Sequence, residues 1–169
     1  MRSLTELKHL KRWIKASFIQ ILRPLVEQGF TLYVEGQDRQ TNKTPNFIEL
    51  RIDGPYTDPI GSFGEYRSYI EVNLLGTSTR DDNIFHRDNL QGLMQYMLNR
   101  DVWIKRTGNE GKNPVDDGSC FELMKLLASD RLKTSDFGQI DPNTEVYQAV
   151  CEAHYEMHFN LEIAVHASN

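Results

Sequence analysis

YQAVCEAHYEMHFNLEIAV, residues 147–165, carries its apolar side chains at odd positions and its polar ones mostly at even positions. Tyr147, Ala149, Cys151, Ala153, Tyr155, Met157, Phe159, Leu161, Ile163 and Val165 fall on one side, while His154, Glu156, His158, Asn160, Glu162 and, just beyond, His166 fall on the other. A period of two marks a strand with one buried and one wet face. At ~3.3 Å per residue the stretch would extend about 60 Å, well past the usual strand of roughly 3–10 residues. It is expected to bend or to outrun its own domain.

Upstream segments supply partners for such a strand. TLYVE (31–35), FIELRID (47–53) and YRSYIEVNLL (66–75) alternate in the same sense, and the linkers GQDRQTNKTPN and GPYTDPIGSFG between them are rich in chain breakers. They predict a meander within an antiparallel sheet. In the third segment Tyr66, Ser68, Ile70, Val72 and Leu74 share one face, and Arg67, Glu71 and Asn73 share the other.

Two segments read as helices. Leu4, Leu7, Ile14, Phe18, Ile21 and Leu25 recur at three- and four-residue spacing and predict a first helix, which Pro24 should end or kink and Gly29 should close. DDNIFHRDNLQGLMQYMLNR (81–100) begins with capping residues and places Phe85, Leu90, Leu93, Met94, Met97 and Leu98 at helical spacing. VWIKR (102–106) then reads as a short strand. CFELMKLLAS, from Cys120, fits either a helix with Ser119 and Glu122 as a capping box or a returning strand, and the hairpin context favours the strand. DFGQIDP (136–142) reads as a turn before the last strand.

Between them, TGNEGKNPVDDGS (107–119) has Val115 as its only apolar residue. It reads as a loop with nothing to bury against its own chain. Such a loop should be mobile in an isolated molecule, order on contact with a partner, and be replaceable by a short turn without loss of the fold.

The chain has 169 residues, of which 39% are hydrophobic and 25% charged, enough for a single domain, 1–169, with a real core. A formal charge of -5 gives no global attraction to nucleic acid or to anionic membranes. The two cysteines, Cys120 and Cys151, lack CxxC spacing and fit a reducing compartment. The basic N-terminus lacks the continuous apolar region of a secretory signal, and no run approaches the ~18 apolar residues of a spanning helix. The expectation is a soluble protein of the cytoplasm.

Several patterns hint at chemistry. His154, Glu156 and His158 can converge from one strand face on zinc or iron, but any half-exposed strand fills that face with polar residues, so no metal is expected. HRDN (86–89) and DFG (136–138) spell two protein-kinase signatures without the Gly-rich loop, strand lysine or chain length that a kinase needs. No GxSxG, GxGxxG or GxxxxGK[ST] occurs. Lys8, Lys11, Arg12 and Lys15 with Trp13 form a basic cluster on the first helix, read as its solvated outer face. No catalytic residue, cofactor site or enzyme activity is expected.

YIEVNLLGTS (69–78), VWIKR (102–106) and DFGQIDPNTEVYQAVCEAHYEMHFNLEIA (136–164), in this order of elements, resemble the tail-terminator and tail-completion proteins of tailed bacteriophages over about residues 4–165. The resemblance implies an α/β (α+β) fold whose antiparallel sheet is flanked by two main helices, with a long hairpin loop and a long C-terminal strand. It implies a homo-oligomeric, hexameric ring on the finished tail tube, which stops tube growth and presents a surface to the head-side connector or stopper protein. DNA would pass through the ring without sequence-specific binding, and the protein would be assembled in the host cytoplasm and reside in the tail or neck of the virion. On this reading Asn109, Glu110, Lys112, Asp116 and Asp117 of the loop, and His154, Glu156 and His158 of the last strand, face a neighbouring subunit or the tail tube. Residues 36–46 and 53–65 are longer than a minimal member needs. They leave room for a second reading as another head–tail connector, such as a head-completion or adaptor protein. A metal-dependent enzyme using His154, Glu156 and His158 is a distant third.

Overall fold

The computed structural model describes residues 4–36, 46–61, 64–79, 84–109, 112–127, 132–139 and 146–161. A short 3-10 turn (Leu4–Glu6) leads into helix α1 (Leu7–Glu27), strands β1 (Thr31–Val34), β2 (Phe47–Pro59) and β3 (Glu65–Thr79), helix α2 (Ile84–Leu98), and strands β4 (Val102–Lys105), β5 (Cys120–Leu126), β6 (Lys133–Gln139) and β7 (Val146–Asn160). The result is a mixed α+β protein with two helices and a curled seven-stranded sheet ordered β1-β2-β3-β7-β5-β4, with β6 also paired to β7.

The last strand organises the sheet. It pairs antiparallel with β3 along its whole length, from Val146 opposite Thr79 to Asn160 opposite Glu65. Its other edge is shared between β6, alongside Tyr147–Glu152, and β5, alongside Tyr155 and Glu156. The alternation holds in space: Ala149, Cys151, Ala153, Tyr155, Met157, Phe159 and Leu161 are buried. The alternating residues beyond Leu161, including Glu162, Ile163, Val165 and His166, lie outside the described residues.

Three strand expectations need correction. Strands β1 and β2 run parallel, Thr31 opposite Phe47, so the first three strands are not a meander. A parallel neighbour needs a connection of about a dozen residues, and the long segment between Val34 and Phe47 meets that need. Secondly, Asp136, Phe137 and Gly138 belong to strand β6 rather than to a turn. The turn chemistry survives as a bulge: the register shifts between Asp136 and Gly138, Gly138 has φ +64°, and its N–H donates to Asp136 Oδ1 at 2.8 Å. Pairing with the exposed edge of β7 outweighs the local preference for reversal. Thirdly, β2 and β3 run past the predicted ends, through GPYTDP, to Pro59 and back from Glu65. A register shift between Asp53 and Tyr56 absorbs Gly54 and Pro55, joined by a cis peptide.

Helix α1 buries Leu10, Trp13, Ile14, Ser17, Phe18, Leu22 and Leu25. The stripe is therefore rotated from the predicted one, because Leu4 is 53% exposed and Trp13 is fully buried. Pro24 costs one backbone bond, yet the helix continues to Glu27 before closing at Gly29, φ +96°. Among the described residues, no helix is long and apolar enough to cross a membrane.

Both helices meet the buried face of the central strands. Phe18 packs its ring edge on Tyr155 at 5.1 Å, and the Tyr155 hydroxyl donates to the backbone oxygen of Leu98 at the end of α2. Helix α2 sits on β3 where Gly76 leaves room: a Cβ there would lie 2.8 Å from Leu90 Cδ2 and 3.2 Å from Met94 Sδ. Each large apolar side chain buried in this layer contributes roughly 1.5–3 kcal/mol.

Candidate functional site

The loop from Thr107 to Ser119 is anchored rather than free. Asp116 is buried and accepts the indole N–H of Trp13 at 2.7 Å on Oδ1. Arg12 Nη2 reaches both oxygens of the same carboxylate, at 2.6 and 2.7 Å. Burial alone would push the Asp116 carboxyl up, but the bonds from Trp13 and Arg12, with the Arg12 charge, outweigh it and hold its pKa below the ordinary value.

The loop's ends are tied to the hairpin base. Arg106 N–H donates to Ser119 O and Gly118 N–H to Arg106 O, each at about 2.9 Å. The Arg106 side chain donates to Glu6 Oε1 at 2.8 Å and to Ser119 Oγ and Cys120 O, both at 2.9 Å. Its guanidinium also lies 5.3 Å from the Phe121 ring and 5.8 Å from Trp13. Asp117, exposed, accepts from the Ser119 hydroxyl and backbone N–H, which lower its pKa. Ser119 thus serves the loop, and the capping box it forms with Glu122 in sequence is unused because Cys120–Leu126 is a strand.

These contacts revise the sequence expectation. A buried Asp116 is not available to a neighbouring subunit, and Arg12 and Trp13 are not a solvated basic face. The cause is desolvation: an indole N–H buried on α1 needs an acceptor, and the loop delivers one from far along the chain. Lys112 and Asp117 remain exposed, Lys112 N–H donates to Asn109 O at 2.9 Å, and Glu110 lies outside the described residues.

A second polar surface lies on the outer face of β3 and β7. Register places Glu71 directly opposite His154, Tyr69 opposite Glu156, and Arg67 opposite His158. His154 Nε2 approaches Glu152 Oε1 at 2.8 Å, whereas His158 Nε2 and Glu156 Oε1 stand 3.8 Å apart. The histidines therefore divide into two carboxylate pairs. Among the described residues, the three side chains whose ligand atoms gather within 4.8 Å are Glu71, Glu152 and His154, not His154, Glu156 and His158. Alternation already places Glu71 on the wet face, but only the cross-strand register brings it to His154.

Apolar side chains also remain uncovered. Tyr56 and Tyr69 stand 5.1 Å apart on the outer face, both substantially exposed, with the Tyr56 hydroxyl donating to Asp53 Oδ1 at 2.8 Å and its pKa raised by that bond. From Asp53 to Pro59, β2 has no buried side chain. Trp103 on β4 and Phe137 on β6 are 56% and 61% exposed. Trp103 helps to line a groove with Leu123, Met157, Glu156 and His158, where β5 and β7 part.

No family model matches the chain, and no curated protein matches it. A solved structure is similar over 90% of this chain and 98% of its own, with a TM-score of 0.53 and 12% sequence identity. At that identity the likeness shows the fold alone.

Proposed function

We propose that the chain is a structural protein of the phage head–tail junction that forms a six-membered ring at the end of the tail tube. Ring formation requires two different, complementary surfaces on each subunit. The observation that carries the reading is the β2–β3 hairpin with the end of β7. From Asp53 to Pro59 and from Glu65 to Arg67 the paired strands bury no side chain, yet they display Tyr56 beside Tyr69, and among the described residues no strand pairs with the outer edge of β2 after Leu50. Strands of this length, uncovered by their own helices, suit an interface between copies. The resemblance in YIEVNLLGTS, VWIKR and the final segment supports the same reading.

In this ring the sheet is flanked by α1 and α2, the exposed hairpin meets the neighbouring subunit, and the loop tip around Asn109, Lys112 and Asp117 meets the tail tube. The His158–Glu156 side of β7 adjoins the groove beside Trp103 and extends the subunit contact. The ring ends tube growth by covering the last tube surface and offers its opposite face to the connector.

The test is copy number and position. Virions cross-linked and resolved by mass should give a ladder ending at six copies, and antibody labelling in negative stain should mark the head-proximal end of the tail. A twelve-copy ring at the head vertex would replace this reading with a head-side connector. A ladder ending at two copies, or label absent from the virion, would remove it.

A further inference from the structure

We propose that Glu71, Glu152 and His154 form a binding site for one divalent transition-metal ion, with zinc the best match to the donor set. This does not rest on the ring reading. Glu152 and His154 are two apart on β7 and share its outer face, and the antiparallel register sets Glu71 of β3 directly across from His154. One ligand atom from each lies within 4.8 Å of the other two, and all three side chains are half-buried. Bonds of about 2.0–2.2 Å to nitrogen and oxygen place ligand atoms roughly 3.4 Å apart around a tetrahedral ion. The His154–Glu152 pair, at 2.8 Å, must open slightly to reach that spacing.

The electrostatics ask for a cation at this point. The carboxylates of Glu71 and Glu152 both converge on the His154 imidazole, and two like charges this close repel unless a proton or a positive ion intervenes. Among the described residues no lysine or arginine forms an ion pair with Glu71 or Glu152. Arg51, the nearby arginine on β2, is turned to Glu49 at 3.1 Å. Asp53, opposite Glu71 on β2, already accepts from Tyr56 and from Gly54 N–H. Lys133, opposite Glu152 on β6, is exposed. Asn73 Nδ2 donates to Glu71 Oε1 at 2.8 Å, which orients that carboxylate while leaving its second oxygen for the ion. An imidazole nitrogen with two carboxylates selects zinc over calcium or magnesium, which prefer all-oxygen shells, and leaves a fourth position for water.

Chelator-treated full-length protein should take up one Zn²⁺ per chain in a calorimetric titration, and Zn²⁺ but not Ca²⁺ should raise its melting temperature. Glu71→Gln, Glu152→Gln and His154→Asn should each weaken binding by at least about tenfold. Glu156→Gln and His158→Asn, on the same face but outside the cluster, should not. The unmutated protein loaded with Co²⁺ should show the intense visible bands of four-coordinate cobalt, a readout independent of how the variants fold. Absence of stoichiometric uptake, an octahedral cobalt spectrum, or equal weakening by His158→Asn would overturn the site.

Discussion

Trp13 and Asp116 are joined by a hydrogen bond of 2.7 Å between residues 103 apart in the chain. The indole is fully buried in α1, and the carboxylate that accepts its hydrogen bond comes from the returning arm of a glycine-rich loop with almost no apolar content of its own. Arg12, the next residue back on the helix, holds the same carboxylate with one guanidinium nitrogen. The loop is thereby part of the folded core's polar boundary.

Asp116→Ala should therefore lower the melting temperature, since it orphans a buried indole N–H and an arginine together. Asp117→Asn, at an exposed turn, should change it little. Replacing residues 107–119 by a short Gly-Ser turn should destabilise as Asp116→Ala does, in contrast to the sequence expectation. An unchanged melting temperature in Asp116→Ala would show that the latch carries no stability.

The same carboxylate sets an acid limit. Its pKa is lower folded than unfolded, so the stability it contributes is fully present above the unfolded value, about 3.9, and is lost as pH falls through the folded one. Urea midpoints measured from pH 7 to pH 3 should fall toward the acid end in the unmutated protein. Asp116→Asn, which keeps an acceptor for Trp13 but cannot titrate, should show a shallower fall. Identical slopes would assign the acid sensitivity to other carboxylates.

Gly76→Ala should cost about 1–3 kcal/mol, because the added methyl enters the space held by Leu90 and Met94 and must push α2 from β3. Denaturant titration should show a lower midpoint with an unchanged slope. Combined with Leu90→Ala, the loss should be smaller than the sum of the two single changes, since the second vacates the space that the first invades.

The two thiols should separate cleanly by reagent access. Cys120 is exposed at the start of β5, while Cys151 is fully buried in β7 with burial pushing its pKa up to about 12. An aromatic disulfide reagent should label one thiol rapidly in the native protein and the second only on unfolding. Rapid labelling of both would place Cys151 outside the core.

Local periodicity determined a good deal by itself. The odd positions of residues 147–161 are buried from Ala149 onward because a strand alternates its side chains whatever it pairs with, and helical spacing in 84–98 required only a neighbour on which to pack. The same local view placed Cys120–Leu126 in a strand. Tertiary structure decided what depends on partners distant in sequence. The parallel pairing of β1 with β2 depends on the path of the intervening chain, which alternation does not encode. Strand β6 exists because β7 has an edge to pair, and DFG chemistry then becomes a bulge. Trp13 looked like a member of a basic outer face until an acceptor from residue 116 met it, and His154 looked like a partner of Glu156 and His158 until register set Glu71 across from it. Sequence shows which face a side chain takes, whereas desolvation and cross-strand register show what it meets there.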